Sequence, residues 1–187
     1  MSTQCSHVRC VLTEPVLALS DTVESMLGVH FAITAEQERA LLVADDLDDV
    51  DAIDELLSGM EEFWAEDELK VDTDKAWDAI HRSLTDGTLG PSSGQYPLSP
   101  AIIGGRHLHD DYYAVYVNAD HVQDIAKALH EVDREGMRLA FDAIDGEDYA
   151  GALDDEDFEY TWSNFVDVRA FYDRAATARR AVVFTAK

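Results

Sequence analysis

Trp77 and His81 are four positions apart. In a helix that spacing places them one turn apart on the same face. The pair supports two readings. In one, His81 is a general base or ligand and Trp77 walls a pocket. In the other, His81 is a core histidine whose ring bonds a carbonyl or carboxylate, and this is the more ordinary role. Lys75, just before them, either binds an anion near Gly104-Gly105 or is a surface lysine. Gly104-Gly105 permits a close backbone approach or a tight turn, and exposed amides there could cradle an anion. Tyr96, Tyr112, Tyr113 and Tyr116 gather around the same stretch, as core aromatics or as the rim of a cleft. The candidate pocket is therefore Lys75, Trp77, His81, Gly104, Gly105 and Tyr116.

A metal reading attaches to His107-Leu108-His109-Asp110-Asp111. In a strand the two histidines project to one face, where carboxylates could complete a site. The spacing supplies no third ligand, and a polar loop is the expectation. Asp45-Asp46-Leu47-Asp48-Asp49-Val50-Asp51 is dense in carboxylates but lacks the Gly and Glu of a calcium-binding helix–loop–helix. No nucleophile elbow, dinucleotide fingerprint or phosphate loop is present. We expect no metal and no cofactor, and the sequence leans away from an enzyme.

The elements that would position these residues follow from patterning. His7–Leu12 reads as a first strand, Thr13 as a helix cap, and Asp21–Leu27 as a short helix. Phe31–Ile33 is a strand or a connection. Thr34 with Gln37 forms a capping box, predicting a helix through Leu42. Val50, Ile53, Leu56 and Leu57 predict an acidic helix over Asp49–Ser58. Asp72 or Thr73 should cap the helix carrying Trp77, Ile80, His81 and Leu84, which ends near Gly87. Gly90–Pro100 is a loop of the kind that often lines a site. Ala101–Ile103 and Tyr113–Val117 read as strands, and Asn118 caps a helix through Val132. Met137, Phe141 and Ile144 continue at helical spacing. Phe158, Trp162, Phe165, Val168 and Tyr172 mark a long helix, and Ala181–Thr185 a closing strand. The expected class is α+β, a single domain over 1–187 with a small mixed sheet and several helices.

Charge bounds the partners. The 187 residues hold 39 acids and 14 bases, a net of −25. From Asp45 to Glu68 there is no Lys or Arg, nor from Asp142 to Glu159. Such a field repels nucleic acid and anionic membranes and attracts cations or basic proteins. A GC-rich genome or a saline habitat produces the same acid-rich, lysine-poor composition. The only cysteines, Cys5 and Cys10, lack metal or redox spacing and are expected to be reduced thiols. No apolar run nears the roughly 20 residues of a membrane span, and no signal peptide is visible. A cytoplasmic protein is expected, a monomer or homodimer.

Several segments resemble one family. Val71-Asp72-Thr73-Asp74-Lys75-Ala76-Trp77 through Ile80-His81 is similar to a D-K-A-W-x-x-[LI]-H signature. Pro97-Leu98-Ser99 with Gly104-Gly105, Tyr116-Val117-Asn118, and Phe171-Tyr172-Asp173-Arg174-Ala175-Ala176 with Ala181–Phe184 follow in matching order. Together they resemble the YfbM-like bacterial family, a domain of unknown function of the DUF1877 type. The match is strongest over 71–184. Two segments depart from the pattern: Asp111-Tyr112-Tyr113 replaces a small-residue turn, and Arg179-Arg180 stands where a helix-ending Gly is expected. The resemblance implies an α+β fold and no activity. Two functions remain in view: a non-catalytic interaction domain engaging a basic protein, and a small-molecule pocket, enzymatic or not, around Trp77, His81, Gly104-Gly105 and Tyr116.

Overall fold

The computed structural model describes residues 26–187. The strand at His7–Leu12, the cap at Thr13, both cysteines and most of the Asp21–Leu27 helix lie outside them; Met26 and Leu27 are not helical. Among the described residues, five strands form one sheet: β1 (Gly28–Ile33), β2 (Lys70–Asp74), β3 (Arg106–His107), β4 (Tyr113–Val117) and β5 (Ala181–Ala186), in the order β2-β1-β5-β4-β3. The α+β class holds. All four pairings are antiparallel, so the sheet is not mixed.

Among the described residues, six helices cover both faces: α1 (Ala35–Asp46), α2 (Val50–Phe63), α3 (Ala76–Leu84), α4 (Ala119–His130), α5 (Arg134–Phe141) and α6 (Asp155–Ala178). The period-two alternation of the strands sorts side chains between two cores. Phe31, Ile33, Ala114, Tyr116, Ala181 and Val183 face α1 and α2. Ala32, Val115, Val117, Val182, Phe184 and Ala186 face α3 to α6. With both faces covered, every residue of β5 is buried.

Local signals set most helix starts. Thr34 Oγ1 accepts from the Gln37 N–H, and Gln37 Oε1 accepts from the Thr34 N–H. Asp49, Asn118 and Asp154 cap α2, α4 and α6 through their side chains. Helix α1 runs past Leu42 to Asp46, and α2 past Ser58 to Phe63.

Two assignments change. Asp72 and Thr73 lie in β2 and cap nothing; the Thr73 hydroxyl instead donates to the Gly28 carbonyl at 2.8 Å. Ala101–Ile103 is fully buried but is not a strand: a 3-10 turn (Ser99–Ala101) leads through it into the short β3. The Ala101 carbonyl is taken by side chains, His30 Nε2 at 3.1 Å and the Tyr172 hydroxyl at 2.9 Å. At the C-terminal end of α6, Arg179 adopts the left-handed conformation (φ 53°, ψ 44°) that the missing glycine would supply.

Candidate functional site

The six pocket residues expected from sequence do not converge. Gly104, Gly105 and Tyr116 line a common cavity of about 500 Å³, with Tyr96, Ser99, Asn118 and His121. Trp77 and His81 are not among its walls. Trp77 is fully buried; its indole N–H donates to the Met26 carbonyl at 3.1 Å and its ring packs against Tyr113 and Phe184. His81 is also fully buried, with Nε2 3.1 Å from the Gly90 carbonyl oxygen. Burial lowers its pKa to about 4, opposed only in part by that carbonyl. It is a neutral ring that anchors the loop over α3. Lys75 is exposed before α3, away from the cavity, and its backbone N–H is bonded by the Tyr160 hydroxyl.

The paired glycines are explained by close packing. A Cβ on Gly104 would meet Ser99, including its backbone carbon at 2.7 Å, and one on Gly105 would meet the Tyr116 carbonyl at 2.7 Å. The Gly104 N–H is already bonded to the Ser99 carbonyl. His107 and His109 part company: His107 Nε2 lies 2.8 Å from the Ile103 carbonyl, while His109 stacks on Tyr112 and faces Asp54 at 3.5 Å. Among the described residues, no group of three or more His, Cys, Asp or Glu side chains is placed to hold a metal.

Three of the four tyrosines singled out in the sequence donate to carboxylates: Tyr96 to Asp124, Tyr112 to Asp54 and Tyr116 to Glu38. Burial, the bond and the neighbouring negative charge push the Tyr112 and Tyr116 hydroxyls well above the usual range. These phenols stay protonated and serve as neutral partners where bases are scarce.

The two acidic runs have different surroundings. In the second, Asp154 caps α6, Asp155, Glu156 and Asp157 occupy its first turn, and Arg134 and Arg138 pair with Glu159, Asp142 and Asp155. Carboxylates at a helix N-terminus are stabilising. In the first run, Arg106 pairs with Asp45 and Asp46, Arg180 with Glu66 and Lys187 with Glu61. Asp48, Asp51, Glu55, Glu62, Asp67 and Glu68 have no basic partner among the described residues. Neither α1 nor α2 carries a base in its last turn, where Asp45, Asp46, Glu61 and Glu62 oppose the helix dipole.

The same two helices hold an open groove of about 840 Å³. Its walls are Ala40, Val43, Ala44 and Leu47 from α1 and its end, and Ala52, Leu56, Gly59 and Met60 from α2, with Trp64 closing one end. Val43 and Leu47 are 54% and 71% exposed. Sequence reasoning missed this groove. Its signal was a second apolar stripe at 40, 43, 44 and 47, beside the core stripe of Leu41 and Ala44.

Comparisons with known proteins agree with this architecture. The family model for a domain of unknown function, DUF1877, matches residues 25–185. The fold is similar to that in the crystal structure of a protein of unknown function, YfbM, from Escherichia coli: 22% identity, 87% of this chain and 100% of that one covered, TM-score 0.65. A comparison with curated proteins finds no match. No described helix is long and apolar enough to cross a membrane.

Proposed function

This chain belongs to the DUF1877 family, a domain of unknown function, and on that premise we propose that it is a non-catalytic interaction domain of the bacterial cytoplasm whose acidic α1–α2 layer engages a basic protein. The observation that carries this reading is the arrangement of the first acidic run. Among the described residues, Asp48, Asp51, Glu55, Glu62, Asp67 and Glu68 have no basic partner, and Glu62 also opposes the dipole of its own helix. Such a field raises association rates with cationic partners and is screened by salt. The residues with catalytic types, His81 and Trp77, are occupied in packing.

The test is titration of the full chain with an arginine-rich peptide and a glutamate-rich peptide of equal length, in rising sodium chloride. We expect binding of the first alone, weakening with salt. Neutralising Asp51, Glu55 and Glu62 should abolish it, and neutralising Asp145, Glu147 and Glu156 should change it little. Equal binding of both peptides, or none, overturns the reading.

A second reading attaches to the cavity of about 500 Å³, a volume typical of small-ligand sites. The ring of His121, edge-on to Tyr96 at 5.1 Å, is its one imidazole. A thermal-shift panel of nucleotides and sugar phosphates tests it. A shift lost in His121→Leu supports a ligand there, and no shift removes it.

A further inference from the structure

Resting on the interaction reading above, we propose that the groove between α1 and α2 seats a basic amphipathic helix of a partner protein. A helix docks in a groove through apolar anchors at i, i+3, i+4 and i+7. This groove offers apolar walls to such anchors: Val43 and Leu47 on one side, Leu56 on the other, over a floor of Ala44 and Met60. Helix α2 spans 14 residues, about 21 Å at 1.5 Å per residue, which matches a partner of three to four turns.

Charge selects the occupant. Asp51, Glu55 and Glu62 fall at i, i+4 and i+11 along α2, a single stripe beside the apolar wall, and Asp48 stands exposed in the turn between the helices. Among the described residues, no Lys or Arg lines the groove; Arg39 is the single base on the two helices and is not part of the wall. A helix whose apolar face enters the groove therefore needs Lys or Arg on its flanks. Two other occupants fit less well. A second copy would bring another carboxylate rim against this one, and each chain carries a net of −25. The chain's own residues 1–25 hold one base, Arg9, against Glu14, Asp21 and Glu24, and do not complement the rim.

The groove is open at Gly59, where an added Cβ would meet nothing within 4 Å. A larger side chain there would project into the groove without disturbing the core. This gives a blocking variant that leaves the fold intact.

The experiment uses the full chain and two synthetic peptides of the same leucine and lysine composition. One places its leucines on a single helical face; the other is scrambled. We expect the amphipathic peptide to bind about tenfold or more tightly than the scramble, as fits a helix-in-groove mode. Gly59→Leu and Leu47→Ser should each remove most of that advantage, with melting temperatures unchanged or raised. Equal binding of the two peptides, both weakened by salt, would overturn the groove proposal and leave the acidic-interaction reading standing. Binding of neither would overturn both. Self-association in sedimentation, abolished by Gly59→Leu, would overturn it in favour of a second copy. A spin label on Cys5 and Cys10 that broadens the Leu47 and Leu56 methyl signals of the free chain would overturn it in favour of the N-terminal segment.

Discussion

The Nε2 atom of His81 lies 3.1 Å from the carbonyl oxygen of Gly90, so a ring buried on α3 holds down the start of the loop that rims the small cavity. A second histidine, His30, is buried in the same way against the Ala101 carbonyl, and burial lowers both to a pKa of about 4.

These two rings give a pH dependence with a definite sign. Above pH 6.5 both are neutral in the folded and the unfolded chain, and their contribution is complete. As the pH falls from about 6.5 towards 4, the unfolded chain binds protons that the folded chain refuses, so stability falls, by up to roughly 3 kcal/mol per histidine. Urea unfolding at pH 7.5 and at pH 5 measures the loss. His81→Gln keeps a donor for Gly90 and removes the titration, so its stability should fall less between the two pH values. An equal fall would show that His81 is not protected from protonation.

Arg82 and Asp78 form a buried pair on α3, with Nε 2.6 Å from Oδ1. The same guanidinium donates to the Asp148 carbonyl at 2.7 Å, tying α3 to the segment before α6. Arg82→Met strands a buried carboxylate and should cost about 3–5 kcal/mol. The double variant Asp78→Leu with Arg82→Met should recover much of that. Denaturant midpoints of the three proteins check the order.

Two glycines should respond in opposite directions. Gly104→Ala drives a Cβ into Ser99 and should destabilise by about 1–3 kcal/mol. Gly59→Ala, in the interior of α2 with free space around it, should stabilise by about 0.5–1 kcal/mol. Thermal unfolding of both variants decides it.

Glu62 occupies the last turn of α2 without a basic partner among the described residues. Glu62→Lys should raise stability by a few tenths of a kcal/mol at low salt by complementing the helix dipole. The same variant should weaken binding of the arginine-rich peptide. Stability and binding moving in the same direction would show that this carboxylate is not held for recognition.

What was legible in the sequence was local. The Thr34–Gln37 box, the Asn118 cap and the α6 stripe depend on neighbours within a few residues, and each lies where patterning put it. Asp72-Thr73 resembles a cap in isolation. Pairing with β1, about forty residues earlier in the chain, makes it a strand. Ala101–Ile103 has the apolar content of a buried strand. Because His30 and Tyr172 take its carbonyl, no ladder forms there. The spacing of Trp77 and His81 fixed their shared face, but a helical face does not reveal whether it meets a cavity or a packed core. The α1–α2 groove exists only once two helices lie side by side, so neither stripe alone announces it.

Strand β5 lies between β1 and β4, yet it follows both of them in sequence. During synthesis on the ribosome, the β1–β2 pair and the β3–β4 hairpin must therefore wait as two unjoined ribbons, their greasy faces open, until residues 181–186 emerge to zip them together. Loss of those six residues would leave halves with no seam, so a prematurely stopped product is expected to aggregate or be degraded rather than persist as a shorter working protein.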